Sequence, residues 1–112
     1  MGRDYMLRRN KEFQYVYRRG KSLVDRNLVL LHLSSKTIKT GFCVSKKVGN
    51  SVCRNRIRRQ MREAFHSLLP YLNAAQMVFV ARSDIINSDY WQIRSSMIRL
   101  LRKAGLLRGE HL

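Results

Sequence analysis

Apolar residues recur along the chain in blocks whose spacing alternates between helical and extended. Phe13, Val16 and Tyr17 stand at i, i+3 and i+4, which places them on one face of a helix. Asn10 before them is a suitable N-cap and Gly20 after them a suitable stop. The stretch "NLVLLHL", residues 27–33, then reads as a strand that is largely apolar on both sides. Leu28, Leu30 and His32 form one set, and Val29, Leu31 and Leu33 the other. Such a strand is buried on both faces, or one face lines a ligand surface. The polar turn "SSKTIK" leads to "TGFCVS", residues 40–45, and the two strands read as a hairpin, with "SLV", residues 22–24, as a short strand before it.

From residue 51 the helical period returns. Cys53, Ile57, Met61, Ala64, Phe65 and Leu68 cover about 120° of a helical wheel, the width of a core-facing stripe. Pro70 ends that helix, and "QMVFVA", residues 76–81, is a compact apolar strand. Ser88 or Asp89 caps a last helix that turns Tyr90, Ile93, Met97, Leu100 and Leu101 inward and stops at Gly105. The expected order is α-β-β-β-α-β-α, an α+β fold with one sheet covered by helices.

Length adds that 1–112 is a single domain, with residues 1–9 expected as a loose basic arm and 106–112 as a flexible tail. Charge changes the picture more. There are 23 Lys+Arg against 7 Asp+Glu, a net +16. This excess repels itself and calls for a polyanionic partner, which is nucleic acid, an anionic membrane or an acidic protein. The charge is spread along a folded domain, which favours nucleic acid. No apolar run is long enough to span a membrane and no secretory h-region opens the chain, so a cytoplasmic protein is expected. Cys43 and Cys53 form no C-x-x-C pair and read as small core hydrophobes in preference to a metal site. The seven acids and His32, His66 and His111 are scattered, so neither catalytic nor metal-binding residues are expected on the protein.

The segment "RNRIRRQMR", residues 54–62, holds five arginines in nine positions. On the wheel Asn55, Arg58, Arg59 and Arg62 form a continuous face away from the apolar stripe. Arg54 sits at the stripe's edge and Arg56 on the far flank. Only Glu63 offers an acidic neighbour within the helix. A solvated face usually mixes signs; this one does not. Guanidinium groups bind phosphate bidentately and stack on bases. The preceding "SKKVGN" adds Lys46 and Lys47, and a glycine where backbone can approach a phosphate.

"FCVSKKVGNSVCRNRIRRQMREAF", residues 42–65, closely resembles the signature region of the bacterial ribonuclease P protein subunit. The hallmark is an R-N-R helix preceded by S-K-K-x-G-N, here Ser45 to Asn50 followed by Arg54-Asn55-Arg56. "LRRNKEFQYVYRRGKSLVDRNLVLLHL" is similar to that family's opening and "VFVARSDI" to its last strand, so the resemblance spans roughly residues 5–103. It implies a two-layer α-β sandwich, ribosomal protein S5 domain 2-like, with a left-handed β-α-β crossover where ordinary chirality would be right-handed.

The resemblance also implies an accessory subunit of the ribonucleoprotein that removes 5′ leaders from precursor tRNA. Hydrolysis would be carried by the RNA subunit with bound Mg²⁺. The expected partners are ribonuclease P RNA and precursor tRNA, with no membrane and no obligate protein partner. RNA-subunit contacts fall on Lys46, Lys47, Asn50, Arg54, Asn55, Arg56, Arg58, Arg59 and Arg62. The leader-binding cleft falls on Phe13, Tyr17 and Leu31, with Arg8 and Arg9 beside it. Leu31 occupies a position commonly aromatic in the family, which weakens stacking there. Aromatic platforms flanked by cations suit single-stranded RNA, at roughly 1–3 kcal/mol per stacked base, although Phe13 and Tyr17 can equally anchor the helix to the sheet. The rival readings are another RNA-binding structural module such as a ribosomal protein, a free-standing nuclease, and a helix-turn-helix DNA binder.

Overall fold

The computed structural model of the chain describes residues 5–109. Helix α1 (Asn10–Arg19) is followed by strands β1 (Lys21–Val24), β2 (Leu28–Ser34) and β3 (Lys39–Cys43), helix α2 (Ser51–Leu68), strand β4 (Ala75–Ala81) and helix α3 (Tyr90–Lys103). Single 3₁₀ turns at Leu69–Tyr71 and Ser83–Asn87 flank β4. The element order agrees with that expected from the apolar pattern.

The sheet runs β1-β2-β4-β3, with β3 parallel to β4 and the other pairs antiparallel. The expected β2–β3 hairpin is therefore corrected: β4 lies between those strands. The hairpin is β1–β2, closed by Asp25, whose Oδ1 accepts from the Asn27 and Leu28 amides at 2.8 and 3.1 Å, an Asx-type turn. Strands β2 and β4 are apolar on both sides, and burial on both faces places them in the middle of the sheet. The crossover from β3 to its parallel neighbour β4 is made by α2.

Register separates the two faces. Leu23, Leu30, Phe79 and Phe42 form one row across all four strands, and Ser22, Leu31, Val78 and Gly41 form a row of opposite facing. Helices α2 and α3 cover the first face. Phe65 of α2 meets Phe42 and Phe79 with ring centroids 5.8 and 5.9 Å apart. Ile57, Met61, Ala64, Phe65 and Leu68 are buried beneath α2, and Ile93, Met97, Leu100 and Leu101 beneath α3, as their periodicity predicts. Helix α1 lies on the second face, where Val16, Leu7 and Val78 form a smaller buried cluster.

Both chain ends differ from expectation within the described residues. Of the arm, Tyr5 to Leu7 run along the outer edge of β3: the Thr40 N–H donates to the Tyr5 carbonyl and the Leu7 N–H to the Thr40 carbonyl, each at 2.7 Å. This covers a sheet edge, and Leu7 is buried. Residues 1–4 lie outside the described residues. At the other end Gly105 adopts φ +73, the left-handed stop that favours glycine. The chain then packs Leu106 and Leu107 on the core and pairs Leu107 with Leu72. Residues 110–112 of the expected tail lie outside the described residues.

Candidate nucleic-acid interface

The S-K-K segment is a turn pinned at both ends. Val44 and Val48 are buried, and the Val48 N–H donates to the Ser45 carbonyl at 3.1 Å. Lys46 and Lys47, between them, are exposed. Asn50 caps α2 by accepting from the Cys53 N–H at 2.9 Å. The first turn that follows, Ser51-Val52-Cys53, carries no charge. The arginines begin one turn later, past the strongest positive end of the helix dipole.

Their guanidinium groups are dispersed over the outer surface. Arg54 folds back, its Nε donating to the Gly49 carbonyl at 3.1 Å. Arg58 Nη1 donates to Asn55 Oδ1 at 3.0 Å. Arg59 stands 3.9 Å from Glu63 with both side chains largely in water, a pair of little energetic weight. Arg56 lies on the other flank, its Nη2 3.8 Å from Cys53 Sγ. Among the described residues, Arg62, Lys46 and Lys47 have no hydrogen-bond or ion-pair partner. The structure thus gathers Lys46, Lys47, Asn55, Arg54, Arg58, Arg59 and Arg62 on and beside one helix, and sets Arg56 apart. Asn50 is occupied as a cap. At Gly49 a Cβ would stand 3.1 Å from Cys53 Cβ and Sγ, so the missing side chain makes room for Cys53, and the Gly49 carbonyl is engaged by Arg54.

The second face of the sheet carries the other candidate residues. The Phe13 ring lies directly over Gly41, where any Cβ would overlap it, so Phe13 anchors α1 to β3. One turn on, Tyr17 is 44% exposed and its hydroxyl lies 3.2 Å from Cys43 Sγ. Burial, reinforced by the Cys43 thiol, pushes the Tyr17 phenol well above its ordinary value, so the ring is uncharged. Beside Tyr17 runs the row Val24, Val29, Val80 and Cys43, of which Val29, Val80 and Cys43 are half-buried and Val24 is exposed. Leu31 is half-buried in the next row, against the Val16 cluster. Arg8 and Arg9 are exposed at the start of α1, held by their amides donating to Glu12 Oε1 at 3.1 and 2.9 Å. These amides, Arg9 first, hold the Glu12 carboxyl below its ordinary value. Cys43 is a cleft residue that sequence reasoning missed. Its signal was the alternation with Gly41, which puts it on the α1 side.

Among the described residues no three His, Cys, Asp or Glu side chains converge into a metal site, and no helix is long and apolar enough to cross a membrane. What remains are two surfaces on different layers of the fold, one cationic and one apolar with an aromatic edge.

A family model described as Ribonuclease P matches residues 1–105. The chain belongs to the ribonuclease P protein family. The ribonuclease P protein component of Listeria welshimeri is 38% identical over 114 residues, covering 98% of this chain and 96% of that protein. That of Clostridium botulinum is 42% identical over 108 residues, covering 93% and 97%. A solved ribonuclease P protein from Staphylococcus aureus superposes with a TM-score of 0.86 at 31% identity, over 93% of this chain and 98% of that one. One from Thermotoga maritima does so with a TM-score of 0.80 at 25% identity, over 88% and 96%. The α+β architecture inferred from the sequence is that of the family.

Proposed function

We propose that this ribonuclease P protein binds the catalytic RNA through the arginine face of α2 and the S-K-K turn, and the 5′ leader of precursor tRNA through the cleft between α1 and the sheet. The observation that carries this reading is the one-sided charge of α2 on a rigid, capped helix beside a turn sunk into the core at both ends. Arg54, Arg58, Arg59 and Arg62 with Lys46 and Lys47 supply fixed cations for RNA-subunit phosphates. Asn55 extends the same contact, Arg56 reaches the RNA subunit from the helix's other flank, and Asn50 sets the helix that presents them. Across the sheet, Tyr17 offers a neutral ring to a leader base. Leu31 and the Val29–Val80–Cys43 row form the floor, and Arg8 and Arg9 stand near the leader's phosphates.

The protein's work in this reading is electrostatic and positional. It neutralises repulsion between catalytic RNA and substrate, which favours precursor binding and Mg²⁺ occupancy in the RNA. Hydrolysis at the leader junction is carried by the RNA with its Mg²⁺, and no step is assigned to a protein side chain. Partners are the RNA subunit and precursor tRNA, in the cytoplasm, without an obligate protein partner. The test is to combine the protein with a bacterial ribonuclease P RNA and precursor tRNA at low Mg²⁺. Cleavage should be strongly stimulated. No stimulation would sink the reading, and cleavage by the protein alone would replace it with a nuclease. In the same system Arg58→Ala or Arg62→Ala should reduce the salt dependence of RNA binding by about one unit per lost phosphate contact.

A further inference from the structure

Trp91 is the chain's single tryptophan and is 67% exposed. Its ring packs against that of Tyr90 in a T-shaped contact, at 5.0 Å and 81°. A tryptophan this open is uncommon on a folded surface, and its neighbours do not form an apolar patch. Ile98, two turns along the same side of α3, is buried, and the residues nearer Trp91 are Gln92, Ser95 and Arg99. The arginine face of α2 does not include this region.

The surface around Trp91 is a chain of three adjoining cavities. The first, of 310 Å³, runs from Lys47 of the S-K-K turn past Arg82 to Arg26 and Asp84. The second, of 380 Å³, shares Arg26 and Asp84 and continues to Trp91, Ser95 and Arg99. The third, of 600 Å³, shares Ser95 and Arg99 and follows α3 past Arg94 to Arg102 and Lys103. Helix α3 itself contains four cations and no acid. The acids offset Arg26 and Arg99 around Trp91, and among the described residues the cations without an acidic partner, Lys47, Arg82, Arg94 and Lys103, lie toward the two ends of the track. Asp84 is exposed and 3.9 Å from Arg26, Asp89 is committed to the Gln92 amide as the cap of α3, and Asp25 is engaged by Arg99 at 2.8 Å.

We infer that this track is a second RNA-binding surface, continuous with the S-K-K turn, which takes an unpaired RNA strand with one base stacked on Trp91. An open aromatic face between guanidinium groups is the arrangement that binds single-stranded RNA without sequence readout. A membrane or a protein groove would want an apolar surface around the tryptophan, whereas the other residues that line the cavity beside Trp91 are polar or charged. The inference rests on the proposed role of the S-K-K turn for its direction, and it adds a surface that role does not require.

Trp91 reports on its own site. The intact protein is titrated with a short single-stranded oligoadenylate while tryptophan fluorescence is read. Saturable quenching that added salt reverses is expected, and it should persist in Arg58→Ala, which lies on the other surface. Trp91→Leu should weaken binding of a labelled oligoadenylate about fivefold or more with an unchanged unfolding midpoint, and Trp91→Phe should retain most of the affinity. An oligoadenylate that binds without quenching, or quenching by phosphatidylglycerol vesicles and not by oligoadenylate, overturns the inference. The two readings fail separately. Stimulated precursor cleavage without quenching removes only the α3 surface. Quenching without stimulated cleavage leaves an RNA-binding α3 and removes the proposed function.

Discussion

Gly41→Ala tests how the α1 cleft is held. Gly41 shares a row with Leu31 and Val78, and a Cβ at this position would overlap Cε1 and Cζ of Phe13 and stand 3.3 Å from its Cδ1. Carbon atoms rest about 3.5–4.0 Å apart, so the ring tip must retreat by about an ångström or more. It is rigid and is backed by a helix whose Val16 is buried against the sheet. Overpacking of this kind costs about 1–3 kcal/mol. The alanine also restricts the unfolded chain, which stabilises by about 0.4–1 kcal/mol. The steric effect wins, leaving a net loss of about 1–2 kcal/mol and a fall in Tm of about 5–15 °C for a domain near this size. Thermal unfolding of Gly41→Ala, Phe13→Leu and the double variant decides the cause. A shorter side chain at 13 should absorb most of the Gly41→Ala penalty, so the double variant should be more stable than the sum of the singles predicts by about 1 kcal/mol. Affinity for leader-bearing precursor should fall while affinity for the RNA subunit holds, because α2 packs on the other face. Strict additivity, or an unchanged midpoint in Gly41→Ala, would refute the account of Phe13 as the anchor.

Asn50→Ala should lower stability by about 1 kcal/mol through loss of the α2 cap. Asn50→Asp should restore the cap and the midpoint yet weaken RNA-subunit binding by placing a carboxylate among the arginines; equal RNA affinity for Asp and Asn would place the cap outside the interface. Tyr17→Ala should lower affinity for leader-bearing precursor more than for mature tRNA, whereas Tyr17→Phe, which loses only the Cys43 contact, should retain most binding. Equal losses on both RNAs would leave Tyr17 as an anchor only. Burial pushes the Asp25 carboxyl up, but the Arg99 guanidinium, the Asn27 and Leu28 amides and the Ser96 hydroxyl outweigh it and hold the carboxyl below its ordinary value. A depressed folded-state pKa means the stabilisation is present above the unfolded value and is lost as pH falls through the folded one. Stability should therefore drop below about pH 4, and Asp25→Asn should flatten that drop; an unchanged acid limb in the variant would assign it to other groups.

The helices were legible because their information is local. Ile57, Met61, Ala64, Phe65 and Leu68 repeat at the helical period, and the stripe they form is the one the core receives. The opposite face follows by subtraction, which is why the arginine surface is legible in the sequence alone. Strand order was not legible, because pairing joins distant segments: nothing near residues 34–40 shows that Leu31 will lie beside Val78 rather than beside Gly41. The same limit hid the N-terminal pairing. Tyr5 to Leu7 sit in a polar, charged stretch, and their partner is the edge of β3, which exists only once the sheet has formed. In the cleft, Tyr17 stands out by type, whereas Leu31 enters only through the family resemblance. Cys43 and the obstacle at Gly41 needed the register, since a small residue in a strand shows that something approaches closely but not what.

Strand β3 is where the two candidate surfaces meet. Gly41 receives Phe13 and Cys43 receives the Tyr17 hydroxyl, so the cleft is built on alternate residues of this strand. The residue after Cys43 is Val44, whose burial fixes the start of the S-K-K turn. The distance between the floor of the cleft and the first cation of the turn is thus set by the two residues Val44 and Ser45, which follow directly on a strand paired to β4 along its length and to the Tyr5–Leu7 segment at Thr40. Under the proposed function this registers the leader against the catalytic RNA. The chain need not close around either partner, because a paired strand already holds both surfaces at fixed separation. Binding energy from the leader can then position the scissile junction relative to the RNA, and a shift in the register of β3 against β4, unlike a substitution confined to one face of the strand such as Gly41→Ala, should disturb leader and RNA contacts together.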